Sequence, residues 1–310
     1  MRGVLLGSLG PEKPTLASVV RKLGVDGPVA VITAGWQEYE GQVEELPAQL
    51  GREIVPLDLY RRAERVFAED AELATEHRAL QERLRIGQEY YRMRLAHMVD
   101  AALDIGRRAA GSALEEDESR LSMEYLRTID RDHITRVAAQ RAAFDLRMDP
   151  LNRDAVVRQR DEIAKLLAGA DILAIAGGHV AVLLNRLRLF GISELVQDKV
   201  LVAWAGGAMV TSERVMLFHE SPPQGEGISE LLEPGLAFHR GILPMPSPRH
   251  RLRLGEAWRV AWMAKRHAPF KLIALDNNAH VSFDGTRFFD DSHGSHWMRE
   301  DGSVSEEWVS

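Results

Sequence analysis

The sequence predicts an α/β protein in which a doubly wound, mostly parallel sheet is interrupted by a long all-helical insertion. Three observations carry that expectation. Short, nearly continuous apolar runs recur, as in residues 28–33, and strands covered on both faces need such runs. Segments with helical spacing follow them, the alternation that builds parallel sheets. Between residues 60 and 167 this rhythm stops, and Arg, Glu, Ala and Leu dominate with apolar residues at helical intervals. The expected organisation is an α/β domain over 1–59 and 168–310, with the helical insertion at 60–167.

In chain order, residues 3–9 read as a buried strand ending in a Gly-rich turn, and 14–23 as a helix through Leu16, Val19, Val20 and Leu23. Residues 28–33 form the second strand. Ala34-Gly35-Trp36 turns into a helix reaching about residue 50, and 53–57 is the third strand. In the insertion, Tyr90, Tyr91, Met93, Leu95 and Met98 make one apolar group, and Leu121, Met123, Tyr125, Leu126 and Ile129 another. Gly106, Gly111 and Pro150 are the expected breaks between three or four helices. The charges between these groups read as solvated helix faces.

The sheet resumes with a strand at 171–176, a tight Gly177-Gly178-His179 turn, a helix at 180–190 and a strand at 199–204. Further strands are expected at 214–218, 236–243 and 272–275, a loop at 221–227 and a helix at 254–265. The tail from Asp284 is polar and aromatic and reads as a hairpin or a loosely ordered segment.

Composition narrows the function classes. With 310 residues, 45% of them hydrophobic and 27% charged, the chain is an ordinary globular one. Its formal net charge of -7 argues against a general nucleic-acid surface. It has no cysteine, which removes disulfides, thiolate metal sites and a Cys nucleophile together. The N-terminal apolar stretch is too short for a signal peptide, and no apolar run approaches a membrane span, so a cytoplasmic protein without membrane or nucleic-acid partners is expected.

The chemistry-bearing stretch is Val200-Leu-Val-Ala-Trp-Ala-Gly-Gly-Ala-Met209. An apolar run meets a cluster of small residues and a helical pattern follows, which reads as strand, elbow and helix. In hydrolases built this way the nucleophile sits at the elbow. Here that place is Ala205, whose methyl group cannot attack. His179, at the Gly-Gly turn near the top of the sheet, is the histidine most readily placed in a pocket.

The order of motifs resembles the peptidase S51 family, the aspartyl dipeptidases and cyanophycinases, on the class I glutamine amidotransferase-like (flavodoxin-like) fold. The stretch from Ala170 to Leu187, with Gly177-Gly178-His179, resembles the family's Gly-Gly-Asn/His turn and helix. Val202-Ala-Trp-Ala-Gly-Gly-Ala208 resembles its Gly-x-Ser-Ala-Gly-Ala elbow. The stretch from Glu233 to Leu243 resembles the segment leading to its catalytic His, and the one from Leu272 to Ala279 its Gly-Ile-Asp-Glu strand. The likeness covers about two-thirds of the chain, and the insertion has no counterpart in it.

The resemblance implies a serine hydrolase with a base, an acid and an oxyanion hole. Carried over residue by residue, the nucleophile falls on Ala205 and the His on Ser247, with His250 close by but off register. Glu220 is the possible acid, and Gly178 and Gly206 are the possible oxyanion donors. Loss of both proton-transferring groups favours natural divergence over an engineered replacement of the nucleophile alone. The expected function is therefore a hydrolase-like protein that has lost catalysis and binds a small acidic or peptide-like ligand near Gly178, His179, Ala205, Gly206, Glu220 and Ser247. One alternative is an active peptidase or amidase whose chemistry lies elsewhere. Another is an assembly protein, a possible homodimer, that uses the insertion.

Other candidates weigh less. Thr211 and Ser212 follow the elbow, where hydroxyls usually bond back to a carbonyl. His219 lies beside Glu220. His293 and His296 with Asp290 and Asp291 have the composition of a metal site, and Asp130 and His133 are one helical turn apart, but neither group meets the needs of a functional centre. The glycines of residues 3–10 lack dinucleotide spacing. No metal and no cofactor is expected.

Overall fold

The structure is a computed structural model that describes residues 1–10, 15–108, 112–218, 228–290 and 294–305. Its strands are β1 (Arg2–Leu6), β2 (Val29–Ile32), β3 (Ile54–Pro56), β4 (Ile172–Ile175), β5 (Val200–Trp204), β6 (Arg214–Leu217), β7 (Glu230–Pro234), β8 (Ile242–Pro246), β9 (Lys271–Leu275), β10 (His280–Asp284), β11 (Arg287–Asp290), β12 (Ser295–Met298) and β13 (Val304–Ser305). Its α-helices are α1 (Thr15–Lys22), α2 (Leu46–Leu50), α3 (Leu59–Glu69), α4 (Ala71–Arg108), α5 (Ala113–Met148), α6 (Asp154–Ala168), α7 (Val180–Leu189), α8 (Ile192–Leu195), α9 (Gly206–Val210) and α10 (Ala257–His267).

The central sheet runs β11-β10-β1-β5-β4-β2-β3. Its five members from β1 to β3 are parallel, while β10 and β11 run antiparallel at one edge. Successive side chains of a strand point to opposite faces, and both faces are buried here. Leu5, Ala30, Ile32, Leu173, Ile175, Leu201 and Ala203 pack with residues of α3, α6 and α7. Val4, Leu6, Val29, Val31, Ile172, Val202 and Trp204 pack with α1 and α2. Burial on both faces is why these strands read as continuous apolar runs. Each Val, Leu and Ile among these residues contributes roughly 1.5–3 kcal/mol on leaving water.

Every described element between β3 and β4 is helical. The two ends of this stretch belong to the sheet, because Leu59, Ala63 and Val66 of α3 and Val156, Ile163 and Leu167 of α6 lie in its core. Helices α4 and α5, of 38 and 36 residues, form a long antiparallel hairpin. Arg147 meets Glu76 at one end, and Gly106 faces Ser119 at the other. Gly106 was an expected break, yet α4 runs through it to Arg108. One glycine costs about 1 kcal/mol in a helix, which the packing of a long helix overrides. A capping box at Ser112 and Glu115 starts α5.

The hairpin is fastened to the body by a buried polar joint. Arg266 of α10, fully buried, donates to both oxygens of Asp130 on α5 at 2.8 and 2.7 Å and to the Ser229 carbonyl at 2.8 Å. The Tyr91 hydroxyl of α4 donates to Asp130 at 2.6 Å and accepts from the Leu231 amide at 3.2 Å. His133 stacks on Tyr91 with ring centroids 4.1 Å apart.

Two expectations are corrected, and one strand was missed. The helix expected from Trp36 to residue 50 is a 3-10 segment at Ala34–Tyr39 and the short α2, because Gln37, inside the first, takes φ 58°, ψ -123° and breaks the helical path. The strand expected at 236–243 is β8, Ile242–Pro246. Pro244 and Pro246 are tolerated in it because β8 is an edge strand of the small sheet β13-β12-β9-β8. Strand β7, which pairs with β6, was missed. Of the two readings of the tail from Asp284, the hairpin is the one present: β11 pairs antiparallel with β10, and β12 and β13 follow. No helix of the described residues is long and apolar enough to cross a membrane.

Candidate functional site

Ala205 follows β5 directly and begins α9, with φ 50° and ψ -127°. An L-residue rarely adopts this conformation, and it costs of order 1–3 kcal/mol where the surroundings impose it. The surroundings here are close. The Ala205 amide donates to the carbonyls of Leu6 and Gly7 at 3.2 and 3.3 Å. A Cβ at Gly177 would lie 2.7 Å from the Ala205 methyl and 2.9 Å from the Gly206 nitrogen, so only glycine fits there. The elbow read from the sequence is thus a strained turn between close backbones, with a half-buried methyl at its tip.

The turn after β4 packs against two neighbours at once. Gly178 has φ +105°, and a Cβ on it would lie 2.3 Å from the Gly35 carbonyl oxygen. The His179 amide donates to that same oxygen at 2.7 Å. The ends of β2, β4 and β5 are therefore held backbone to backbone. Two amides here, of the buried Gly206 and the exposed Gly178, take no part in this bonding among the described residues. Gly206 is the first residue of α9 and has no intrahelical acceptor. The Gly178 amide makes no backbone hydrogen bond among the described residues. Gly178 is exposed, as is His179, whose Nδ1 accepts from the Val182 amide at 3.3 Å and caps α7.

Ser247 ends β8 in a left-handed conformation, with φ 57° and ψ 51°. Its amide donates to the Leu275 carbonyl at 3.1 Å, and its hydroxyl pairs with that of Ser8, just past β1. Ser8 follows Gly7, whose carbonyl takes the Ala205 amide, so Ser247 and the elbow share one neighbourhood. Asp276, just past β9, joins them: its carbonyl oxygen would lie 2.0 Å from a Cβ on Gly7. Its Oδ2 accepts from Arg249 at 3.1 and 2.9 Å and lies 3.3 Å from His296 Nε2. Its Oδ1 is buried and has no partner among the described residues. Burial opposes its charge, but hydrogen bonds from Arg249 and His296 outweigh burial and hold the carboxyl below its ordinary range.

Ser8, Asp276 and Arg249 were not singled out from the sequence. The available signal was position, since Ser8 and Asp276 are polar residues immediately past apolar strands, where α/β ligands bind. Glu220 and His219 lie outside the described residues, as do Asp291, His293 and the side chains of His250 and Asp290. His296 faces Asp276 instead of a metal cluster, and no group of three metal-ligating side chains exists among the described residues. Asp130 and His133 belong to the hairpin joint. Thr211 bonds back to the Ala208 carbonyl at 2.8 Å, as a helix hydroxyl does, and both it and Ser212 are fully buried. Behind them, burial pushes His239 down to about 3, so it is neutral.

On the other side of the His179 turn, α4 faces α7 across two adjoining clefts. One, of about 600 Å³, has Leu84, Val180, Leu217 and Leu232 on its floor. The other, of about 620 Å³, is lined by His77, Arg78, Gln81 and Arg186. His179, Gln81 and Ala181 border both.

Taken together, the ends of β1, β4, β5, β8 and β9 bring Ala205, Gly178, His179, Gly206 and Ser247 to one edge of the molecule, with Ser8 and Asp276 among them. The methyl at the elbow can attack nothing. Amides without acceptors can hold an anionic oxygen. No protein-family model matches this chain, and no curated protein is similar to it in sequence.

Proposed function

We propose that this chain is a member of the peptidase S51-like group on the class I glutamine amidotransferase-like fold, that it has lost serine-hydrolase chemistry, and that it binds a small acidic or peptide-like ligand at the Ala205 elbow. The observation that carries the reading is the backbone of Ala205. It stays in the strained conformation that presents a nucleophile, φ 50° and ψ -127°, although the side chain is a methyl. Strain of this kind persists where the surroundings over-determine it, and it clusters at functional sites. The nearby Gly178 and Gly206 amides supply donors for a carboxylate or carbonyl oxygen, and the Ser8–Ser247 hydroxyls supply a polar wall. With no base at Ser247, proton transfer has no carrier. A cytoplasmic location belongs to the same reading.

Calorimetric titration with aspartyl dipeptides, with chromatography of the same samples, tests it. Binding without cleavage is expected from the unaltered chain, and measurable cleavage from the double variant Ala205→Ser, Ser247→His. Cleavage by the unaltered chain, or no binding of any dipeptide, would sink the reading.

One observation favours a second reading. The paired hydroxyls of Ser8 and Ser247 stand beside Asp276 and His296, and a hydrolase could draw a displaced nucleophile from them. Under that reading the unaltered chain cleaves, and Ser8→Ala abolishes cleavage while leaving binding intact.

A further inference from the structure

The cleft of about 620 Å³ between α3, α4 and α7 is large enough for a small ligand and is unevenly charged. Two guanidiniums, of Arg78 and Arg186, line it against one carboxylate, that of Glu64. Arg186 is the anchor. Its side chain is only 11% exposed, and its guanidinium lies over the rings of Tyr60 and Phe67, 5.2 and 5.3 Å from their centroids. This stacking fixes the position of the fork. Of its donors, Nη2 reaches Glu64 at 2.9 Å, while Nε has no partner among the described residues. Glu64 is 56% exposed, so its pairing contributes little and yields readily to a competitor.

The cleft wall is rigid. Gln81 of α4 and Asn185 of α7 pair their side-chain amides reciprocally, at 3.2 and 2.8 Å, and tie the two helices together. His77 stands in the same wall. Burial, then the charges of Arg186 and Arg141, push it down to about 4, so the imidazole adds no charge of its own. A fixed, partly desolvated guanidinium with a spare donor and a weak countercharge can donate to the oxygens of an anion.

We propose that this cleft binds the anionic group of a small ligand, a carboxylate or phosphate whose oxygens accept from Arg186 and Arg78 and displace Glu64 toward solvent. The seat borders the elbow through His179 but does not depend on what the elbow binds. It also gives the helical stretch between β3 and β4 a ligand-facing role, since Arg78, Gln81 and Glu64 all come from it.

The test is a titration of the full chain with succinate, with inorganic phosphate and with uncharged succinamide, followed by amide chemical shifts and by calorimetry. At least one anion is expected to bind and succinamide is not. Shift changes should centre on Ala181, Val182 and Asn185. Succinate alone identifies a carboxylate seat and phosphate alone a phosphate seat. Arg186→Gln should weaken binding roughly tenfold to a hundredfold, as loss of a charged hydrogen-bonding partner does, and Arg186→Lys should restore part of it. Arg78 is exposed, so Arg78→Gln folds normally and should weaken binding several-fold. If Arg186→Gln does not fold, Arg78→Gln decides. Binding that neither variant weakens, equal binding of succinamide, shift changes centred on Gly206, or no anion bound at all would each overturn the proposal.

Discussion

Asp130, Tyr91 and Arg266, midway along the hairpin where α10 meets it, are buried, and each of their polar side-chain groups is bonded, the Arg266 fork to Asp130, Tyr91 and Ser229. At the carboxyl ends of β1, β4 and β5 the polar groups are arranged the other way. Among the described residues, the amides at Gly178 and Gly206 lack backbone acceptors, Asp276, just past β9, keeps an unpartnered oxygen, and Ala205 is held in a strained turn. Both regions are close-packed and both join distant parts of the chain. A cluster that satisfies itself has nothing left to offer a ligand, and it acts as a joint. A cluster that spends strain to keep donors unbonded is organised around something else.

The sharpest way to break this contrast is to remove one partner from the joint. Arg266→Met leaves Asp130 buried without its countercharge and should cost roughly 3–5 kcal/mol in urea unfolding, whereas Arg266→Met with Asp130→Leu should recover most of that. A loss below about 1 kcal/mol for the single change would mean that water reaches Asp130 and that the joint is not sealed. At the strand ends, Gly178→Ala forces a Cβ to 2.3 Å from the Gly35 oxygen at φ +105°. It should cost roughly 1–3 kcal/mol and abolish ligand binding at the elbow. Unchanged stability would show that the turns of β2 and β4 part easily and cannot hold an elbow.

Acid sharpens the comparison, because each region hides a neutral imidazole. Burial pushes His239, behind the elbow, down to about 3, and burial with the charge of Arg266 does the same to His267, the next residue of α10, which takes no part in the joint's hydrogen bonds. An unfolded His protonates near 6.5 and these do not, so the unfolded state binds more protons between about pH 6.5 and 3. Stability is therefore full above pH 6.5 and falls as pH drops through that window. At pH 5 each imidazole should contribute a loss on the order of 2 kcal/mol. Urea unfolding of the unaltered chain and of His239→Phe at pH 7 and pH 5 checks this, with the variant losing less. Equal losses would mean that His239 is hydrated.

Much of this was legible in the sequence, for physical reasons. Strands buried on both faces must be apolar throughout, so β1, β2, β4 and β5 announce themselves, and the small residues of 205–208 mark the tight turn that follows β5. The 3.6-residue period likewise marks the helices from α3 to α6. What was missed depends on neighbours remote in sequence. Pro244 and Pro246 form a strand only because β9 borders one side alone. Ser8, Asp276 and Arg249 gather only when β1, β8 and β9 end side by side, and no spacing along the chain encodes that. Arg186 reads as one more charge on an amphipathic helix until Tyr60 and Phe67 are seen beneath it.

The smallest expected effect bears most directly on the elbow. Ala139 is an exposed residue in the middle of α5, where replacement by glycine should cost about 1 kcal/mol through backbone entropy. At Ala205 the same replacement removes a Cβ from a backbone at φ 50°, ψ -127°. Glycine adopts that conformation without steric penalty, so the relief of strain opposes the entropic loss, and the net change should be between zero and about 1 kcal/mol of stabilisation. The two substitutions are chemically identical and should differ in sign when measured by urea unfolding under one set of conditions. If both destabilise equally, the Ala205 backbone carries no strain and the elbow is an ordinary turn. If only Ala139→Gly destabilises, the chain bears a standing cost at the tip of β5, and the strain on which the proposed function rests is present.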